Sequence, residues 1–326
     1  MVVIMQTIGT HTMKQRPIGN TSLKATAVGL GCNNFGLRID TEASRAVIHK
    51  ALDLGITFFD TADVYGNKGG SETCLGQFLG ARRKDIVLAS KFGNPMDDSG
   101  TMQGASRRYI LQAVEASLKR LKTDWIDIYQ LHKFDTTVPL EETMGTFDDL
   151  IKQGKIRYGG ISAVAAWRLV DLQWTARHHG YAPLTTCEVE YSLLARDPER
   201  ELIPAMQAHG LSLLPYYPLA SGFLTGKYQR NAPKPEGARL TKGKRYEAMF
   251  MTDANWTRIE NLQAFCTQRG RTLLELAFSW LAAQPVVACV IAGATQPEQL
   301  EANVKAADWA LSPDELAEID RITGHG

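Results

Sequence analysis

Cysteine is scarce and unpatterned. The five residues Cys32, Cys74, Cys187, Cys266 and Cys289 form no CxxC pair and leave an odd total. That excludes a disulfide-stapled secreted scaffold and a cysteine zinc site, and it points to a reduced, cytoplasmic setting. Net charge is lacking too. Lys and Arg number 36 against 35 Asp and Glu, which excludes a basic nucleic-acid-binding domain and an acidic disordered tail. Apolar runs fall well short of the roughly 18 residues needed to cross a membrane. Residues 1–5 are apolar but carry no basic segment, so no signal peptide is read there, and residues 1–12 are expected to be a flexible tail. No metal site is expected either: His178 and His179 are adjacent, and adjacent side chains do not share a helix face.

What is present is a repeat. Short apolar runs occur at Ala27–Gly31, Ile56–Asp60, Ile86–Lys91, Ile126–His132, Ile156–Ser162, Leu184–Glu188, Leu211–Tyr216 and Val286–Ala292. Their starts lie 29, 30, 40, 30, 28, 27 and 75 residues apart. Most of those gaps fit one strand, one helix and two loops, the parallel βα unit. Helical spacing fills the gaps at Glu42–Leu54, Ser106–Leu121, Leu140–Ile151 and Gln296–Ala307. Asp40 or Thr41 is placed to cap the first, Gly55 and Gly154 to end helices, and Pro297 to start one.

At 326 residues the chain has room for about two domains or one large barrel. Eight βα units predict the α/β (β/α)8 TIM barrel, as a single domain over residues 1–326. The alternative is an open doubly wound sheet, but the first strand continues as Gly29-Leu30-Gly31-Cys32-Asn33-Asn34, without the third glycine of the dinucleotide fingerprint. Residues Met13–Leu23, with Gly19-Asn20 at a turn, predict an N-terminal β-hairpin closing the barrel bottom. Tyr228–Lys244, after strand 7, reads as a long mobile loop.

Barrel active sites lie at the C-terminal ends of strands. The residues ending the runs are Asp60, Lys91, His132, Ser162, Glu188 and Tyr216, and Tyr65 follows the second strand by five positions. Asp60, Tyr65, Lys91 and His132 together can protonate a carbonyl. A phenol is a weak acid near neutrality unless a neighbouring ammonium favours its anion. Asp60 would hold Lys91, and His132 would orient the substrate oxygen. Cys32 and Asn33 follow the first strand and are candidate cofactor contacts. Phe35, Phe92, Phe134 and Trp167 follow strand ends and are candidate walls of a substrate pocket. Each residue taken singly also has a plain structural reading as cap, packed aromatic or solvated edge.

The chain resembles the aldo-keto reductase superfamily in its bacterial and potassium-channel β-subunit branch. The resemblance is carried by FFDTADVYGNKGGSE (58–72), VLASKFG (87–93), SLKRLKTDWIDIYQLHKFD (117–135), GKIRYGGIS (154–162), EYSLLAR (190–196), PLASGFLTGKY (218–228) and AGATQPEQLEANV (292–304). It implies a barrel reducing aldehydes or ketones with NADPH, NADH being the alternative. Tyr65 becomes the acid, Lys91 and Asp60 its tuners, and His132 the carbonyl orienter. Tyr216 is implied to stack on nicotinamide, with Ser162 and Glu188 at its carboxamide. Ala163 stands where the family has asparagine, and Glu188 where it has glutamine. Leu219, Ser221 and Lys227 are implied at the pyrophosphate, Arg239 near the adenosine phosphate, and Gly293, Thr295, Gln299 and Asn303 at the adenosine end. No nucleic-acid or membrane partner is expected. Two other readings stay open: a nucleotide-binding regulatory subunit with slow turnover, and a cofactor-free aldolase using Lys91 as a Schiff base.

Overall fold

The computed structural model describes residues 13–241 and 244–325. The expected tail, residues 1–12, lies outside them. Strands β1 (Gln15–Pro17) and β2 (Lys24–Thr26) pair antiparallel, with Arg16 opposite Ala25. Eight further strands run parallel: β3 (Val28–Gly31), β4 (Phe58–Asp60), β5 (Val87–Phe92), β6 (Ile126–Leu131), β7 (Ile156–Ser162), β8 (Leu184–Glu190), β9 (Ser212–Tyr216) and β10 (Val290–Gly293). Their order around the sheet is β10-β3-β4-β5-β6-β7-β8-β9. The ring closes through the approach to β10: Leu213 N donates to Val286 O at 2.8 Å, and Ala288 N to Leu213 O at 3.1 Å. This is the (β/α)8 barrel, and each of the eight runs read from the sequence contributes a strand.

Helices cover the outside. The cap expected at Asp40 forms, its side chain accepting from Ala43 N ahead of the helix Thr41–Asp53. Ser106 does the same for Arg107–Leu121, and Leu140–Lys152 and Pro297–Ala306 also form where periodicity placed them. The wide gap after β9 is more ordered than a loop. It holds helices Lys244–Phe250, Asp253–Gln268 and Leu273–Ala283. Within Tyr228–Lys244, read as a mobile loop, Tyr228, Ala238 and Leu240 are buried against the main core. Apolar side chains in that stretch gain more by packing than by solvation; residues 242–243 lie outside the described set.

Alternation along the strands sets which side chains enter the barrel. Phe58, Val87, Ala89, Ile128, Leu214 and Ile291 fill its lower interior, and Ile18 of the hairpin is fully buried among them. The hairpin is thus the floor expected from the sequence. Two residues further along four of these strands, the inward positions become polar: Asp60 above Phe58, Lys91 above Ala89, Gln130 above Ile128 and Tyr216 above Leu214.

Candidate active site

Lys91 is completely buried, and its ammonium has two carboxylate partners. Nζ lies 2.7 and 2.6 Å from the two oxygens of Asp60 and 3.1 Å from Glu188 Oε2. It also donates to Thr61 O at 3.2 Å. Gln130 Nε2 donates to the same Glu188 oxygen at 3.0 Å, and Thr186 Oγ1 donates to Gln130 Oε1 at 3.2 Å. Gly160 leaves room for this chain, since a Cβ there would stand 2.3 Å from Thr186 Oγ1.

Tyr65 leans over this cluster. Lys91 Nζ is 5.2 Å from the centre of its ring, and the His132 ring meets it edge-on at 5.6 Å. The turn after Tyr65 is left-handed from Gly66 to Gly69. At Gly66 a Cβ would sit 2.4 Å from both Phe35 O and Ser71 N, so only glycine fits. Behind the turn Ser90 donates to Glu72 Oε1, while Arg120 Nε donates to Glu72 Oε2 at 2.7 Å. Ser90 precedes Lys91, so the helix carrying Tyr65 is pinned to the strand carrying the lysine.

Electrostatics follow from burial and charge. Burial works against the Lys91 charge, but Asp60 and Glu188 outweigh it and raise its pKa. A lysine held charged this firmly is no nucleophile, which disfavours the Schiff-base reading. Burial, then the charge of Glu188, pushes the Asp60 carboxyl up to about 8 against the pull of Lys91. Two carboxyls sharing one ammonium retain a proton that belongs to the pair. Burial also raises Tyr65, with Lys91 opposing it. The lowered phenol pKa expected from the sequence is therefore not found, because burial outweighs Lys91 and the charges of Asp60 and Glu188 add to it. Burial, then Lys91, lowers His132 to about 3, so its ring is neutral.

The remaining predicted residues divide. Ser162 lies in register with Glu188 on neighbouring strands. Tyr216 ends β9, and Leu219 and Ser221 follow it in a turn where Ser221 has φ 57°. Arg239 lies over the rings of Tyr217 and Tyr246, at 5.3 and 5.5 Å, and Lys227 is exposed near Gly222. Gly293 ends β10, Thr295 N donates to Gln299 Oε1 at 2.7 Å, and Asn303 is buried one turn on. These candidates occupy one arc, the ends of β7 to β10, beside Asp60, Tyr65, Lys91 and His132 on or after β4 to β6. Phe134 and Trp167 meet at the rim around the Arg168 guanidinium, 4.8 and 3.9 Å from their ring centres.

Three candidates point elsewhere. Phe92 faces outward, stacked on Tyr129 at 4.7 Å, because its neighbour Lys91 takes the inward position. Phe35 is fully buried in the same outer core, and so is the Cys32 side chain, which follows the outward Leu30 by two residues. None of the three reaches the mouth.

An extended anionic dinucleotide fits what is left over. Asn33 Oδ1, His132 Nδ1, Ser221 Oγ and Arg239 Nε are buried polar atoms without a partner among the described residues, all at strand ends or in the loops above them. Arg38, absent from the sequence expectations, stands close enough to Arg239 for their charges to repel. Two guanidinium groups with no carboxylate partner among the described residues suit a phosphate. Gln130 was also missed, although its inward position two residues beyond Ile128 was readable from alternation. Among the described residues no helix is long and apolar enough to cross a membrane, and no group of three or more His, Cys, Asp or Glu side chains is arranged to hold a metal.

Known proteins match this architecture over nearly its whole length. A model of the Aldo/keto reductase family covers residues 27–323. An L-glyceraldehyde 3-phosphate reductase of Escherichia coli (strain K12) is 34% identical over 325 residues, covering 96% of this chain and 93% of the relative. A probable voltage-gated potassium channel subunit beta of Arabidopsis thaliana is 33% identical over 320 residues, covering 95% and 96%. An uncharacterized oxidoreductase of Bacillus subtilis (strain 168) is 33% identical over 320 residues, with the same coverage.

Proposed function

The chain belongs to the aldo/keto reductase family, and on that premise we propose that it is a cytoplasmic NADPH-dependent reductase of small aldehydes or ketones. The observation that carries this reading is the buried Asp60–Lys91 pair with Tyr65 and His132 beside it. Bound NADPH supplies a hydride; the protein supplies position and a proton. His132, neutral by burial, donates one hydrogen bond to the substrate carbonyl oxygen. Tyr65 gives that oxygen its hydroxyl proton as negative charge grows there, and Lys91 stabilises the phenolate left behind. Asp60 keeps Lys91 charged and aimed.

The cofactor is held by Ser162, Glu188 and Tyr216 at one end, by Leu219, Ser221, Lys227 and Arg239 along the middle, and by Gly293, Thr295, Gln299 and Asn303 at the other. Arg38 joins Arg239 in favouring the extra phosphate of NADPH over NADH. Phe134 and Trp167 border the substrate entrance. A panel of small aldehydes assayed with NADPH and with NADH tests the reading. Turnover faster with NADPH supports it, and no turnover with either overturns it.

The second reading, a nucleotide-binding regulatory subunit, is supported by relatives described as potassium channel subunits beta at the same level of identity. Binding of NADPH with negligible turnover across the same panel favours it.

A further inference from the structure

The Lys91 site carries one carboxylate more than its ammonium can neutralise. Asp60 and Glu188 both reach Nζ, at 2.6 and 3.1 Å, and all three side chains are buried. Gln130 holds Glu188 in place by donating to it, and brings no charge. Burial, then the charge of Glu188, favours a proton on Asp60. Such an excess charge is costly to bury without a proton or a cation beside it.

The two redox forms of a nicotinamide cofactor differ in just this respect. The oxidised ring is a cation and the reduced ring is neutral, while the phosphates are common to both. The ring has to reach the carbonyl served by Tyr65 and His132, and those side chains adjoin Lys91. We propose that Glu188 makes this protein discriminate between the two forms by proton exchange: the Asp60–Glu188 pair keeps its shared proton when NADPH binds and releases it to solvent when NADP+ binds. Only a proton moves, from the carboxyl pair to water, and the ring's positive charge takes its place as counter-ion. This rests on the proposed use of a nicotinamide cofactor and adds a role for a residue that an amide could not fill.

One other carboxyl nearby titrates in this range: Asp63, raised to about 7 by burial and then by Glu72, but it faces Glu72, Arg120 and Tyr109 and not Lys91 Nζ. The groups facing the pair are Lys91 on β5, Tyr65 after β4, His132 after β6 and Tyr216 on β9, with Glu190 further along β8 and the outward-facing thiols of Cys32 and Cys187 near enough to feel its charge. Burial raises both phenols and both thiols, so they stay protonated. Lys91 stays charged and His132 neutral through the same range. Glu190 is raised by burial too, but it lies beyond Glu188 toward the mouth and has no contact with the lysine among those described.

The test is proton release in weakly buffered solution, read with an indicator dye while NADP+ or NADPH is added to the full-length protein. Between pH 7 and 8, NADP+ is expected to release up to about one proton per site more than NADPH. Across the same interval the dissociation constant for NADP+ should fall relative to that for NADPH, by up to about tenfold per pH unit. Glu188→Gln should abolish both differences. Equal release by the two forms overturns the inference while leaving cofactor use intact, and so does a difference that survives in Glu188→Gln. Failure of either form to bind overturns the functional reading and this inference with it. Should Glu188→Gln not fold, infrared difference spectra of the wild type decide the point: loss of a protonated-carboxyl band on adding NADP+ is expected, and an unchanged band contradicts it.

Discussion

Lys91 Nζ lies 2.6 Å from Asp60 Oδ2 in a pair where the lysine has no solvent exposure. Breaking a buried pair from one side leaves an uncompensated charge. Lys91→Met removes the cation that Asp60 and Glu188 share, and is expected to lower stability by about 3–5 kcal/mol in urea unfolding. Asp60→Asn should lower it less, because Glu188 still accepts the ammonium. Equal losses in the two variants would remove Glu188 from the cluster.

His132 gives stability a defined dependence on pH. Its folded pKa is lowered to about 3, by burial and then by Lys91. The unfolded chain takes up that proton near the ordinary histidine value of about 6.5, whereas the folded chain does not until far lower. Stability is therefore complete above about pH 6.5 and is lost as pH falls from there toward 3. Asp60, raised to about 8, acts with the opposite sign between about 4 and 8, since its folded form holds the proton more tightly. Comparing wild type with His132→Gln isolates the imidazole. The variant should show a shallower fall in Tm between pH 6.5 and 5; parallel curves would mean that the ring is solvated.

Ala163 sits at φ 50°, a left-handed conformation, directly after Ser162. An alanine there costs about 1 kcal/mol, and asparagine tolerates the region better. The position is exposed, so a longer side chain meets no wall. Ala163→Asn is expected to raise stability by about 1 kcal/mol, or about 1–3 °C in Tm. It should also tighten NADPH binding by supplying an amide beside the proposed carboxamide site. A lowered Tm contradicts the strain argument, and unchanged affinity contradicts the placement.

The barrel was legible because its strands are short, apolar and mostly evenly spaced, and because six of the eight runs end on a polar residue. Asp60, Lys91 and His132 stand out for that reason. Strand ends alone do not say which way a side chain turns. Phe92 follows an inward lysine and must face out, yet next to a strand end it reads as a pocket wall. Cys32 misleads in the same way. The helices Leu273–Ala283 and Pro313–Thr323 went unread although Thr272 with Glu275, and Ser312 with Glu315, form capping boxes. Their spacing was in the sequence, as was that of Gln130. The contact of Glu188 with Lys91 was not, because it joins β8 to β5 across the barrel and no local pattern encodes a distance across a closed sheet.

The most direct test of the proposed chemistry is oxidation of NADPH by a reactive small aldehyde, followed through reduced-nicotinamide absorbance, in wild type and Tyr65→Phe. Loss of the phenol proton is expected to lower kcat by about 10²–10⁴-fold, with the NADPH dissociation constant changed by less than about twofold, because the hydroxyl contributes to the reaction and not to holding the cofactor. Turnover in Tyr65→Phe equal to that of wild type would contradict the assignment of Tyr65 as the acid.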